Sequence, residues 1–227
     1  DPKVVLADLV SLSERIQPWV CDVGAALAQM RADGQRLVFE GAQGAALDID
    51  HGTYPFVTSS NTTAAQAASG TGLGPGYLEH ILGVTKAYAT RVGSGPFPTE
   101  LLEGAGPVLA ERGQERGATT GRPRRCGWLD IVALRHSVQV NSLTSLCLTK
   151  LDVLDVFETI KICTAYRYEG QVLLRAPIQV DHLEACVPIY EELPGWQSSA
   201  AGCCDWRALP EAAQRYIECL AEIVGVP

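Results

Sequence analysis

The sequence lacks any run of about 18 or more uncharged apolar residues, so no stretch reads as a membrane span. Its first residues, Asp1-Pro2-Lys3-Val4-Val5, lack the basic, apolar and small-residue succession of a signal peptide. They also lack an initiator Met, so a processed or truncated start is expected. None of the 8 cysteines forms a C-x-x-C pair, and the adjacent Cys203 and Cys204 are poorly spaced for one metal. Reduced, structural thiols in a cytosolic protein are therefore expected. No Gly is followed by Lys, which excludes the phosphate loop G-x-x-x-x-G-K-[ST] from these residues. A surplus of positive charge is missing as well. The formal net charge of -8 argues against a general nucleic-acid binder, whose affinity rests on phosphate neutralisation.

What is present is a globular composition, 47% apolar and 19% charged over 227 residues, enough to bury a core. Without a repeat or a low-complexity linker, residues 1–227 read as a single α/β domain. Helical periodicity over 4–30 places Ile16, Trp19, Val23 and Leu27 on one face, with a break or kink at Pro18. Residues 36–40 read as a short buried strand. A loop-rich stretch, 41–76, should hide a helix at 64–68 with Asn61 or Thr62 near its cap. Strands are expected at 81–92 and 145–151, helices at 100–112 and 128–140. A hairpin should join 160–168 to 171–175 around Glu169-Gly170. At the end, Pro210 suits the first helical position, Ala213, Tyr216, Ile217, Leu220 and Val224 form an apolar stripe, and Gly225 closes the helix. Alternating strands and helices give an α/β fold.

Several constellations carry possible chemistry. Phe39-Glu40-Gly41-Ala42-Gln43-Gly44 follows the expected strand, where small residues let a ligand approach the backbone; a plain glycine turn is the alternative. Asp48, Asp50 and His51 resemble a metal or acid–base cluster but lack a third ligand at useful spacing, so turn bonds compete with that reading. The polar run Thr58-Ser59-Ser60-Asn61-Thr62-Thr63 suits either a phosphate or simple capping. Gly70-Thr71-Gly72-Leu73-Gly74-Pro75-Gly76 fails as a dinucleotide fingerprint, since no strand precedes it.

The strongest signal is Gly117-Ala118-Thr119-Thr120-Gly121-Arg122-Pro123-Arg124-Arg125, with Arg112 and Arg116 just before it. Hydroxyls beside guanidiniums suit a carboxylate or phosphate, and a basic cluster in an acidic chain points to a small anion. A solvated basic turn is the alternative. Lys150-Leu151-Asp152 ends a strand, where the carboxylate can accept from a guanine ring N–H and amine while the Lys stem lies along the base. A surface ion pair is the simpler reading of those three residues.

Taken in order, the Phe39-to-Gly44 segment, Asp48-Ile49-Asp50-His51-Gly52-Thr53-Tyr54-Pro55, the run from Val57 to Thr63, Gly95-Pro96-Phe97-Pro98-Thr99-Glu100, Gly117-Ala118-Thr119-Thr120-Gly121-Arg122 and Leu148-Thr149-Lys150-Leu151-Asp152-Val153-Leu154-Asp155 resemble the adenylosuccinate synthetase family. The resemblance covers nearly the whole chain. It implies a mostly parallel central sheet with flanking helices, P-loop-NTPase-like and incomplete. It implies GTP-dependent ligation of L-aspartate to inosine monophosphate (IMP) in purine nucleotide synthesis, through a 6-phosphoryl intermediate, with Mg2+. By the same resemblance Gln43, Thr58 and Arg122 would hold IMP. Ala118, Thr119, Thr120, Gly121, Arg122, Pro123 and Arg124 would form the aspartate loop, and Arg124, Lys150, Leu151 and Asp152 would contact GTP. Pro123 stiffens that loop and removes a backbone donor. The family's catalytic Asp, His, Mg2+ ligands and phosphate loop are expected outside these residues, as is a further guanine loop, so no catalytic or metal residue is assigned here. The resemblance further implies a cytoplasmic homodimer, with neither nucleic acid nor membrane as partner. These residues alone are expected to be inactive; a non-catalytic nucleotide-binding scaffold is the competing reading.

Overall fold

The computed structural model describes residues 1–117 and 121–227. It divides into two compact units, Asp1–Gly41 with Ala65–Leu78, and Ala42–Ala64 with Glu79–Pro227.

In the first unit, helix α1 (Pro2–Ile16) starts where the Asp1 carboxylate accepts the Lys3 N–H at 2.9 Å. It ends in a 3-10 turn, Gln17–Trp19, because Pro18 has no N–H to continue the ladder. Helix α2 (Val23–Ala32) restarts with Asp22 accepting the Ala25 N–H at 3.0 Å. The periodic stretch is thus two helices parted at Pro18. None of the side chains of α1 is buried, and Trp19 is 76% exposed. The strand expected at 36–40 does not form among the described residues, and Val38 is 91% exposed. A strand is a paired state, and no described segment pairs with this one. Helix α3 (Ala65–Thr71) is the hidden helix, shifted towards its C-terminal end. It meets α2 closely, since a Cβ on Gly24 would lie 3.6 Å from the Thr71 carbonyl.

The second unit opens with β1 (Leu82–Lys86) and β2 (Ala89–Arg91), so the strand expected over 81–92 is two strands in different sheets. The chain turns inward between them, burying Ala87 and Tyr88. Helix α4 (Ala105–Arg112) starts later than expected, after Gly104 at φ 62. Strand β3 (Arg125–Gly127) pairs antiparallel with β2. Strand β4 (Leu129–Asp130) takes the first residues of the expected 128–140 helix. Helix α5 (Ile131–Asn141) begins where the Asp130 carboxylate caps Ala133 at 3.0 Å. Strand β5 (Ser145–Thr149) runs parallel to β1.

Strands β6 (Thr159–Tyr168) and β7 (Gln171–Leu173) form the expected hairpin. Glu169 and Gly170 take φ 46 and 79, the mirror-image turn that matches strand twist. Helix α6 (Val180–Glu184) and strand β8 (Val187–Pro194) were not legible in the sequence, yet β8 is the long antiparallel partner of β6. On its other side β6 takes β4 in parallel. Helix α7 (Glu211–Val224) uses Pro210 as its cap rather than as its first residue, and Gly225 closes it at φ 82. Its stripe, Ala213, Tyr216, Leu220 and Val224, is buried in the core with Leu109, Trp128, Ile131, Leu154 and Ile160. The chain is α/β, and its described strands pair in both senses, parallel in β1–β5 and β4–β6 and antiparallel in the others.

Candidate functional site

The turn between α4 and β3 carries a carboxylate that gathers the surrounding cations. The Glu115 side chain is wholly buried. It accepts Lys86 Nζ at 2.6 Å, Arg124 Nη1 at 3.1 Å, Lys150 Nζ at 3.1 Å, and the Tyr88 hydroxyl. Lys86 comes from the end of β1 and Lys150 from the residue after β5, so the parallel pair delivers both ammoniums to one place. Burial alone would raise the Glu115 pKa, but the bonds and charges of Lys86, Tyr88 and Lys150 outweigh it and hold the carboxyl at about 2. Burial lowers the Lys86 pKa, with Glu115 opposing. It also raises the Tyr88 phenol, which stays a donor.

The backbone sets the Arg124 contact. Arg124 N–H donates to the Glu115 carbonyl at 2.9 Å, and Gly117 N–H to the Arg122 carbonyl at 2.8 Å. These bonds flank the pair Arg116 and Pro123, which face each other without bonding directly. A prolyl nitrogen is harmless at that position, because an N–H there would point away from the partner. Gly121 sits in the turn at φ 64, and Arg122 is at its far end. Ala118, Thr119 and Thr120 lie outside the described residues.

The other arginines separate by role. Arg125 donates to Glu100 at 2.7 Å and to the Gly95 carbonyl at 2.8 Å, so it ties β3 to the Gly95-to-Glu100 segment. Arg112 donates to the carbonyls of Asp152 at 3.0 Å and Val153 at 3.1 Å, holding the 3-10 turn Leu151–Val156. Arg125 and Arg112 are thus ties within the fold, and of the neighbouring pair Arg124 and Arg125 only Arg124 bonds Glu115.

Two hollows open on the cations that Glu115 holds, one at Arg124 and one at Lys150. One, of about 620 Å³, is lined by Pro107, Glu111, Arg116, Pro123 and Arg124. The other, of about 460 Å³, is lined by Lys150, Leu151 and Asp152 on one wall and by residues 200–203 on the other. Lys150 adopts the left-handed conformation at φ 57, which turns the chain from β5 into the 3-10 turn. Its ammonium donates to the Gly113 carbonyl as well as to Glu115. Asp155 fixes the opposite wall, accepting Trp196 Nε1 at 2.6 Å and the Ala200 N–H at 3.0 Å.

Residues 42–63 are organised around Asp48, which is fully buried. Its carboxylate accepts the N–H groups of Asp50 at 2.9 Å, His51 at 3.0 Å, Thr62 at 2.5 Å and Thr63 at 3.2 Å. Burial opposes ionisation, but these backbone bonds prevail and lower the pKa to about 2. Asn61 and Thr62 serve this loop, Asn61 donating to Asp50 at 2.6 Å and the Thr62 hydroxyl to the Gly44 carbonyl at 2.8 Å. Asp48 spends its oxygens on backbone donors, and among the described residues no group of three or more His, Cys, Asp or Glu is placed to hold a metal. Gln43 is exposed at φ 70, and Thr58 is half-buried with its N–H on the Leu47 carbonyl at 2.8 Å. The structure thus joins Arg124 to Lys150 through Glu115, and sets Gln43 and Thr58 in a separate loop.

The family model described as adenylosuccinate synthetase matches residues 1–227. The chain belongs to the adenylosuccinate synthetase family. It is 52% identical over 227 residues to the adenylosuccinate synthetase of Coxiella burnetii (strain Dugway 5J108-111), covering 100% of this chain and 52% of that protein. It is 55% identical over 228 residues to that of Ectopseudomonas mendocina, covering 100% of this chain and 53% of the relative. The solved structure of fully ligated adenylosuccinate synthetase from Plasmodium falciparum superposes with a TM-score of 0.95 at 38% identity, over 100% of this chain and 55% of that one. The chain spans about half the length of the curated relatives it matches.

Glu115, Tyr88 and Lys86 are not among the residues that the sequence singles out. One signal was available: Glu115 is the lone acid from Arg112 to Arg125. An acid inside a basic stretch has cations to satisfy it. For Tyr88 and Lys86 there was no local signal, since only the β1–β5 register brings them to the turn.

Proposed function

We propose that this chain supplies substrate-binding elements of a GTP-dependent adenylosuccinate synthetase, which ligates L-aspartate to IMP. Arg124 and Lys150 on one buried carboxylate carry the reading: the basic turn and the strand end form one assembly with surplus positive charge. In this proposal Gln43, Thr58 and Arg122 bind IMP. Residues 118–124, with Gly121, Arg122, Pro123 and Arg124 among them, receive aspartate. Arg124, Lys150, Leu151 and Asp152 receive GTP. The Asp152 carboxylate accepts from the guanine N–H and amine, a pairing adenine cannot make. Guanidiniums bind aspartate carboxylates or phosphate oxygens in a bidentate manner.

The overall reaction makes the inosine 6-oxygen a phosphate leaving group, which the aspartate amine then displaces. The residues present bind and orient; among the described residues no group of three or more His, Cys, Asp or Glu is placed to hold a divalent cation. Mg2+ and its ligands, the phosphate loop and the catalytic acid and base are placed in polypeptide beyond these 227 residues. The parallel pairs β1–β5 and β4–β6 would there join a mostly parallel, P-loop-NTPase-like sheet in a single α/β domain. A cytoplasmic homodimer completes the proposal, with neither nucleic acid nor membrane as partner. In its support, all eight cysteines are free thiols, no described helix is long and apolar enough to cross a membrane, and the net charge is -8.

The test is product formation by a full-length polypeptide carrying these residues. Adenylosuccinate should form only when GTP, IMP, aspartate and Mg2+ are all present, and the 227-residue chain alone should form none. Nucleotide binding without product from the full-length protein would favour the scaffold reading instead.

A further inference from the structure

We propose that Glu115 is a positioning residue for the guanine-nucleotide site, an inference that rests on the proposed synthetase function and extends it to a residue outside the assigned ligand contacts. Three cations and one carboxylate leave a local surplus of two positive charges. The carboxylate lies on the inner side, with its side chain 0% exposed, while Lys86, Arg124 and Lys150 keep 21%, 28% and 36% of their side chains open. An arriving polyphosphate therefore meets cations that are already ordered, and ordering them at the moment of binding would cost affinity.

The same geometry divides the labour of Lys150. Its ammonium is held between the Gly113 carbonyl and Glu115, and its stem lines the hollow that also holds Asp152. The stem packs along the base while Asp152 reads its edge; the ammonium serves to lock the stem. Arg124 commits Nη1 to Glu115 and keeps its other donors for a ligand. Removing the Glu115 charge would leave three cations repelling one another and unlock both arms. IMP would be affected least, because two of its three proposed contacts, Gln43 and Thr58, belong to the loop built on Asp48, and the third, Arg122, has its backbone carbonyl on the Gly117 N–H at 2.8 Å.

The experiment uses the full-length protein with Glu115→Gln, which keeps shape and loses charge. Steady-state KM is measured for GTP, IMP and aspartate, and GDP affinity by calorimetry. We expect GTP KM and GDP Kd to rise by about tenfold, the weight of one charge-assisted contact, with IMP KM within about twofold. Tyr88→Phe removes one donor to Glu115 but no charge, and should weaken GDP binding by roughly threefold. GDP affinity within about twofold of the parent in folded Glu115→Gln, or an equal rise in all three KM values, overturns the proposal. If Glu115→Gln does not fold, unchanged GDP affinity in Tyr88→Phe overturns it. Weakened GDP binding in a protein that makes no adenylosuccinate would sink the synthetase function and leave the positioning role standing. Product formation with GDP affinity indifferent to Glu115 would uphold the synthetase function and sink the positioning role.

Discussion

Arg124 is bonded to Glu115 twice, through its backbone N–H to the Glu115 carbonyl at 2.9 Å and through its guanidinium to the Glu115 carboxylate at 3.1 Å. The backbone bond closes the base of the turn, and the side-chain bond aims the arginine. Two contacts of different chemistry between the same residues make the turn's orientation depend on both fold and charge. The fold alone would place Arg124; the carboxylate decides which way its guanidinium faces.

Acid should therefore weaken the fold through two buried carboxylates, Glu115 and Asp48. Glu115 and Asp48 are held at about 2 in the folded protein, against ordinary values of 4.5 and 3.8. A lowered folded pKa contributes stability that is present above the unfolded value and lost as pH falls through the folded one. The window is thus from about pH 4.5 down to about pH 2, with each group contributing on the order of 2–3 kcal/mol. Denaturant titrations across this range should show the loss. In Glu115→Gln the Glu115 part of the slope should vanish; an unchanged slope would show that the depressed pKa is not a property of the folded state.

Gly113 should tolerate no side chain, for a reason unrelated to its backbone angles. Its φ of -73 is ordinary, but an added Cβ would lie 2.1 Å from Tyr88 Oη and 2.7 Å from the Leu109 carbonyl. Gly113→Ala must push Tyr88 off Glu115 or unwind the end of α4, costing about 2–3 kcal/mol. Among the described residues Gly121→Ala meets no atom within 4 Å, so the cost set by its φ of 64 is roughly 1 kcal/mol. Thermal unfolding of the two variants should rank them in that order.

Asp155 should prove more costly to truncate than a surface acid. Asp155→Ala orphans the Trp196 indole N–H and the Ala200 N–H, both near buried surface, at about 2–4 kcal/mol together. Asp155→Asn retains an acceptor for one of them and should lose roughly half as much. Trp196 is the tryptophan bonded to Asp155 among the four in the chain, so the difference in emission between parent and Asp155→Ala reports the event, shifting to the red as the indole gains water.

How far the sequence discloses this arrangement depends on whether the cause is local. The β6–β7 hairpin is legible because Glu169-Gly170 must form a tight turn wherever it is placed. Helix α7 is legible because its apolar stripe repeats at helical spacing. Strand β8 is not, since Val187–Pro194 mixes Pro, Tyr and acids and owes its state to pairing with β6. Residues 36–40 fail in the opposite sense, apolar enough for a strand yet lacking a described partner. At the candidate site, the basic turn and Lys150-Leu151-Asp152 are visible as patterns, whereas their union through Glu115 is a product of tertiary register. Arg125 and Arg112 look like ligand cations in one dimension and are structural ties in three.

The acidic pair Asp48 and Asp50 offers the sharpest separation of a metal site from a loop anchor. Four backbone N–H groups point at the Asp48 carboxylate, and each needs an oxygen. Asp48→Asn replaces one oxygen by an NH2, which must face two of those donors. The variant should lose about 2–4 kcal/mol, since buried donors are left without acceptors. A carboxylate kept for a cation would behave differently, gaining stability with added divalent ion in the parent and losing that response in the variant. We expect neither protein to respond to Mg2+ at this loop. Amide exchange should show protection lost at Asp50, His51, Thr62 and Thr63 together in Asp48→Asn. Retained protection at those four amides, with a metal response in the parent, would mean that the loop is built around a cation after all.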